Sequence, residues 1–355
     1  MSQQVLITGG AGFVGSALGI GLAQRHPDWE IIALDNLKRR GSELNLPRLK
    51  QAGIRFIHGD VRNLEDLDPA ALQPSLILEC SAEPSVLAGY ATPGYVLQTN
   101  LVGTINCLEL ARQTQADFIF LSTSRVYPLA HLNALKFKET ETRFQLLEQQ
   151  PLPGVSSQGI SEEFPLTGAR SLYGASKLAS ELLVTEYADA YGLRTLINRC
   201  GVLTGPWQMG KVDQGVFALW MAFHYFQRSL KYIGYGGTGK QVRDFLHVSD
   251  LLDLLDLQIH RLSELAGQTF NVGGGATNTL SLYETTQLCQ EITGHNIPIT
   301  PVSETRVGDV PIFITDSHKV MSATGWQPQK DAKMTLTEIY EWIHQFKQQV
   351  GEIFL

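Results

Sequence analysis

An apolar run, Val5-Leu6-Ile7, leads straight into Thr8-Gly9-Gly10-Ala11-Gly12-Phe13-Val14-Gly15 near the amino end of the chain. A strand that stops at Thr8, turns through Gly9-x-x-Gly12-x-x-Gly15 and opens a helix leaves backbone N–H groups and the helix N-terminus uncovered by side chains. That is how a pyrophosphate is held. A glycine triplet alone also suits a tight turn. Here the next apolar run ends at Asp35, 20 residues after Gly15, where a carboxylate can accept from the hydroxyls of an adenosine ribose, with Asn36 beside it. Together they predict a dinucleotide site containing Gly9, Gly12, Phe13, Val14, Gly15, Asp35 and Asn36. An acidic Asp35 repels a 2′-phosphate, which favours NAD over NADP. The basic run Lys38-Arg39-Arg40 is the contrary feature, although a solvated loop is the commoner explanation of such a run.

The rest of the chain repeats that opening unit. The runs "VLITGG", "IIALDN", "RFIHGD", "LILEC" and "FIFLS" are each followed by material of helical length, the rhythm of parallel strands with crossover helices. "SLYGASKLASELLVTEYADAYG" reads as a long helix, with "RTLINR" (194–199) and "TFNVGG" (269–274) as further strands. The expected fold is α/β, a doubly wound parallel sheet of Rossmann type with a second, smaller, discontinuous α/β domain. Residues 1–200 and 244–275 form the NAD-binding part. Residues 201–243 and 276–355, punctuated by Gly and Pro, form the substrate part. Ser281 with Glu284 predicts a capping box, and His247 or Ser249 a helix start near 250.

With 28 basic against 35 acidic residues and a formal charge of −7, the surface is not built for a nucleic-acid backbone or an anionic membrane. Cys80, Cys107, Cys200 and Cys289 lie far apart with no Cys-x-x-Cys spacing, so neither a disulfide framework nor a zinc site is expected. The opening "MSQQVLITGG" lacks the basic and apolar regions of a signal peptide, and a cytoplasmic location is expected. The apolar stretch "VFALWMAFHYF" is too short to span a bilayer and reads as a buried or interfacial helix.

Chemistry enters with "YGASK". Tyr173 and Lys177, four apart, share one helix face, and a neighbouring ammonium favours the phenolate. That gives Tyr173 a proton-transfer role. Alone, the spacing occurs on many surface helices; downstream of a dinucleotide site it carries more weight. The hydroxyl cluster of "STSRVY" completes the case, since Ser122, Thr123 and Ser124 sit at the carboxyl end of a strand, where open α/β sheets keep their sites.

The glycine turn, Asp35, "GDVRN", Asn100 in "QTNLVGT", Thr123, and Tyr173 with Lys177 together resemble the extended short-chain dehydrogenase/reductase family, the NAD-dependent sugar-nucleotide epimerases and dehydratases. The resemblance covers nearly the whole chain. It implies NAD as cofactor, with Asp60 and Val61 at the adenine, Asn100 and Ser122 supporting the cofactor and the active-site helix, and Cys80, Ser81, Ala82 and Cys200 among the cofactor contacts. It makes Thr123, Tyr173 and Lys177 the catalytic group. It also implies a homodimer or higher homo-oligomer through the helices near 92–114 and 172–191.

In the family's dehydratases an Asp-Glu pair follows the hydroxyl residue; here Ser124 and Arg125 stand in those places, so no acid is available to protonate a leaving hydroxide. The expectation is an epimerase, or a simple oxidoreductase. "DNLKRRGSELNL", "ETETRF", "VDQGVF" and "GTGKQVRDFLHV" resemble the branch of the family that inverts carbon 2 of CDP-linked deoxyhexoses. By that resemblance Arg243 and Arg306 hold the diphosphate, bidentate guanidinium suiting phosphate oxygens. Gln214, Ser124 and Arg125 are further substrate candidates; Arg125 equally suits a structural ion pair. The chain departs from the family pattern at Glu79, Cys80 and Pro128, and Cys200 reads as a packing residue. A carbon 4 epimerase or oxidoreductase of another nucleotide sugar, and a non-catalytic dinucleotide sensor, are the alternatives.

Overall fold

The computed structural model describes residues 3–209 and 214–354. Strand β1 (Gln4–Thr8) is followed by helix α1 (Phe13–Arg25), β2 (Glu30–Asp35), β3 (Arg55–His58) and β4 (Leu76–Glu79). Helix α2 (Gly103–Thr114), β5 (Asp117–Thr123), α3 (Leu172–Tyr191) and β6 (Thr195–Cys200) continue the alternation. Then come β7 (Val202–Thr204), α4 (Val216–Tyr225), β8 (Leu230–Ile233), β9 (Val242–His247), α5 (Val248–His260) and β10 (Thr269–Val272). The chain closes with β11 (Thr279–Ser281), α6 (Leu282–Thr293), β12 (Ile299–Val302), β13 (Ile312–Phe313) and α7 (Ala332–Gln345), ahead of a short final helix.

Seven strands form one parallel sheet in the order β10-β6-β5-β4-β1-β2-β3. These are the seven apolar runs read from the sequence. Because strand side chains alternate, Val5 and Ile7 enter one core with Leu18 and Leu22 of α1 and Leu251 and Leu255 of α5, while Leu6 enters another with Leu108 of α2 and Val184 of α3. Helices therefore cover both faces, which is what a fully buried parallel sheet requires. Thr8 pairs in register with Leu34 and Glu79, Glu79 with Phe120, and Thr123 with Cys200. That register brings the carboxyl ends of β1, β4, β5 and β6 to one edge of the sheet.

Helix α3 begins where the Ser171 side chain accepts from the Gly174 N–H and ends at Gly192 in the left-handed region. The segment expected as one helix over 92–114 is instead Pro93–Leu97, a π-helical turn at Gln98–Val102, and α2. The wide turn has a local use. The Asn100 carbonyl accepts from the hydroxyls of Thr104 (2.8 Å) and Ser180 (2.9 Å), so the turn is bonded to α3.

A second sheet gathers β7, β11 and β13 around β9, and β8 pairs with β12. Helices α4, α6 and α7 share a core of Trp220, Met221, Cys289, Leu336, Ile339 and Ile343. The apolar stretch at α4 is thus a buried helix, and among the described residues no helix is long and apolar enough to cross a membrane. The capping box at Ser281 and Glu284 is present, and His247 caps α5 by accepting from the Ser249 N–H. Glu284 also pairs with Arg143, so the "ETETRF" stretch braces the start of α6 and does not reach the cavity described below. All four cysteines are free.

Candidate active site

One cavity of about 980 Å³ runs along the carboxyl edge of the large sheet and on between α4 and β8. At one end stands the glycine turn. Gly9 has φ +65°, and a Cβ there would come within 2.9 Å of the Ser81 backbone; a Cβ at Gly15 would lie 2.3 Å from the Gly9 carbonyl. Helix α1 starts after Gly12 with no side-chain cap, leaving its first N–H groups toward the cavity wall formed by Gly12, Phe13, Val14 and Gly15. This close turn, where a Cβ at Gly9 or Gly15 would collide with the backbone, fits the diphosphate of NAD.

Asp35 and Asn36 line the same end. Asp35 is tied down by the N–H groups of Ala11 (3.1 Å) and Leu37 (2.8 Å); burial pushes its carboxyl up, and those donors oppose the shift. Asp60 is not on the wall, although its neighbours Gly59 and Val61 are. Its carboxylate accepts from Arg62 and from Asn36 (2.9 Å), and the Arg62 guanidinium holds it well below the usual range. The basic run is more than a solvated loop. Lys38 and Arg39 line the cavity, and Arg39 donates to the Gln214 side chain and, at 2.8 Å, to the Met209 carbonyl. Gln214, 175 positions away, is therefore a wall residue held by a basic side chain, and its buried Nε2 has no hydrogen-bond partner among the described residues. Of the "VDQGVF" stretch, positions 212 and 213 lie outside the described residues.

Cys80, Ser81, Ala82, Ser122, Thr123, Ser124, Arg125, Tyr173, Lys177 and Cys200 line the middle. Asn100 does not. It stands behind them, its Oδ1 accepting from the Glu83 N–H (2.8 Å) and its Nδ2 donating to Ser176 on α3 (3.2 Å). Ser122 donates to Glu181 (2.5 Å), which also grips Arg199, a buried pair that the sequence reading missed. Burial pushes the Cys200 thiol up to about 12 and the Cys80 thiol higher, which leaves both as neutral packing groups.

The Tyr173 phenol is pushed up to about 12 by burial, opposed by a hydrogen bond with Thr123 and by the charge of Arg125. This corrects the expectation that Lys177 brings the phenol toward neutrality. Lys177 is 2% exposed and faces Glu79, whose Oε2 lies 3.7 Å from its Nζ. The carboxylate at the end of β4 answers the ammonium, so burial dominates at Tyr173.

At the far end Arg125 donates to the Gly308 carbonyl (2.9 Å) and has no carboxylate of its own among its hydrogen bonds. Arg243 donates to Asp309 (2.7 Å) and to the Val310 carbonyl (2.7 Å), and Arg306 lies on the same wall. Gln241 also lines this end with its Oε1 buried and, among the described residues, without a hydrogen-bond partner. It lies within the "GTGKQVRDFLHV" stretch, two residues before Arg243, but was not itself read as a site residue. Away from the cavity, His26, Asp256 and His260 bring ligand-type atoms within 4.8 Å, but Asp256 already accepts from Arg25 and pairs with His26, and no metal is assigned there.

Residues 5–273 match the model of the NAD dependent epimerase/dehydratase family. The chain is 31% identical over 354 residues to the CDP-paratose 2-epimerase of Salmonella typhi, covering 96% of this chain and 99% of that one. It is 26% identical to the dTDP-glucose 4,6-dehydratase of Salmonella typhimurium, over 96% of this chain and 92% of that one. Among solved structures it resembles the UDP-glucose 4-epimerase of Thermus thermophilus in complex with NAD, with TM-score 0.77, 26% identity, and coverage of 96% and 99%.

Proposed function

Because this chain belongs to the NAD-dependent epimerase/dehydratase family and is an NAD-dependent sugar-nucleotide epimerase, we propose that it inverts carbon 2 of CDP-paratose to give CDP-tyvelose through a transient 2-keto sugar. The supporting observation is one continuous cavity that joins the glycine turn to the arginine-rich end, with Thr123, Tyr173 and Lys177 between and no carboxylate at 124 or 125. Bound at the glycine turn, NAD supplies the acceptor for a hydride from the sugar and later returns it. The residues that would hold it are Gly9, Gly12, Phe13, Val14, Gly15, Asp35, Asn36, Val61, Ser81, Ala82 and Lys177, with Asp60 acting through Asn36.

Tyr173 takes the proton of the carbon 2 hydroxyl while Thr123 steadies the oxygen, so the O–H and C–H bonds both break and the carbonyl forms. Arg243, Arg306 and Gln214 keep the nucleotide in place while the 2-keto sugar presents its opposite face. Tyr173 then gives the proton back and the configuration is inverted. The cycle consumes no cofactor. In this reading residues 1–200 and 244–275 serve the cofactor, and 201–243 and 276–355 the nucleotide sugar. The chain, in this reading, works in the cytoplasm as a homodimer or higher homo-oligomer through the helices near 92–114 and 172–191, where Leu182 (63% exposed) and Tyr191 (50% exposed) of α3 offer apolar surface.

The likeness to UDP-glucose 4-epimerase supports a second reading, inversion at carbon 4 of a UDP-sugar. The test is a proton NMR time course with CDP-paratose and no added cofactor. Formation of the carbon 2 epimer is expected. An unchanged spectrum from protein that releases NAD on denaturation overturns the substrate, and turnover of UDP-glucose under the same conditions selects carbon 4.

A further inference from the structure

Glu79 is fully buried at the end of β4 and does not line the cavity. Its Oε1 accepts from Ser81 Oγ at 2.7 Å; its Oε2 has no hydrogen bond shorter than 3.5 Å among the described residues and faces Lys177 Nζ at 3.7 Å. Lys177 in turn lies 4.0 Å from the centroid of the Phe120 ring. The other titratable groups around the pair are the thiols of Cys80, Cys107 and Cys200, all kept neutral by burial. Toward Tyr173 stand Thr123 on β5, Cys200 on β6 and Arg125 just beyond β5. A carboxylate this close to an ammonium, with little water to screen either, cancels most of the field the ammonium projects. Tyr173, one helical turn before Lys177, therefore feels the pair and not the cation alone.

We propose that Glu79 is a positioning residue for the proton step: paired with Lys177, it cancels the ammonium's field at Tyr173 and leaves Arg125 as the cation that favours the phenolate. This rests on Tyr173 being the base of the proposed reaction. With the lysine answered from behind, the phenolate that takes the sugar's proton is the minor form of Tyr173 at neutral pH. Lys177 is held by Glu79 on one side and by Phe120 on the other, which fixes where its Nζ meets the cavity.

The test is a pH titration of the tyrosinate absorbance of the NAD-loaded protein, with Tyr173→Phe as the reference that isolates Tyr173. In Glu79→Gln the Tyr173 midpoint is expected to fall by roughly one pH unit or more, about a tenfold gain in phenolate at a given pH. The acid limb of turnover moves the same way. Arg125→Met moves the midpoint upward. If the amide variant does not fold, Glu79→Leu replaces it, an apolar side chain suited to the stem of Lys177 and the ring of Phe120. An unmoved midpoint, or turnover reduced by the same factor at every pH, overturns the proposal and leaves Glu79 a packing group. Should Tyr173→Phe retain turnover, the base assignment itself falls, while the midpoints still report whether Glu79 governs the charge at that position.

Discussion

Arg125 and Gly308 are joined across the cavity, the guanidinium Nη1 donating to the carbonyl at 2.9 Å, so the strand end that carries Thr123 is fastened to the loop that carries Arg306 and Asp309. Arg125→Met cuts that tie and removes a cation from beside Tyr173. A hydrogen bond from a charged group contributes about 1.5–3 kcal/mol. We therefore expect kcat/KM to fall by roughly tenfold or more, with the larger part in KM. Steady-state kinetics on the confirmed substrate decide this, and an unchanged KM would mean that the loop is held well enough without the Arg125 tie.

Tyr173→Phe keeps the ring that fills this part of the wall and removes the one atom that can carry the proton. Turnover is expected to drop by about 10²-fold or more, while NAD content per chain, measured after denaturation, stays at the wild-type level. Loss of bound NAD together with activity would mean that the phenol holds the cofactor and is not only a base.

Glu181 and Arg199 form a buried pair, Nη2 to Oε2 2.7 Å, with Arg199 Nη1 also donating to the Tyr127 hydroxyl. Glu181→Ala strands the guanidinium and takes the acceptor from Ser122. Removing one partner of such a pair costs about 3–5 kcal/mol. Chemical denaturation should show a loss of that size, whereas replacing both residues by apolar ones of similar volume should restore much of it.

Asp244 is buried, with Oδ2 accepting from the Gly274 N–H at 3.0 Å, and burial pushes its carboxyl from 3.8 up to about 6. Between those pH values the folded chain keeps a proton that the unfolded chain has lost. Stability from this group is therefore greatest at acid pH and declines as pH rises toward 6, by about 3 kcal/mol. Asp244→Asn should lack that slope in denaturation curves taken at several pH values.

The seven strands of the large sheet were legible because each is a short apolar run closed by turn residues, and a fully buried parallel strand has no other pattern to show. The glycine turn and the caps at His247 and Ser281 were legible because their chemistry is local. What escaped notice was made by distance. Lys177 meets Glu79 from nearly a hundred positions away, and Arg39 meets Gln214 across 175 positions. The same residue types read one at a time suggested a phenolate-stabilising lysine and a solvated basic loop. The π-helical turn at Gln98–Val102 was invisible for a different reason, since its periodicity differs from an α-helix by less than one residue per turn and only the Ser180 bond to Asn100 accounts for it.

The cavity wall is drawn from Gly9 through Asp309, and its two ends come from different stretches of that span. A chain emerging from the ribosome presents the wall from Gly9 to Cys200 first, and Arg243, Arg306 and Asp309 only later. Order of synthesis thus follows the cavity from one end to the other, the groove for the cofactor taking its place in the growing chain before the arginines at the far end have been made.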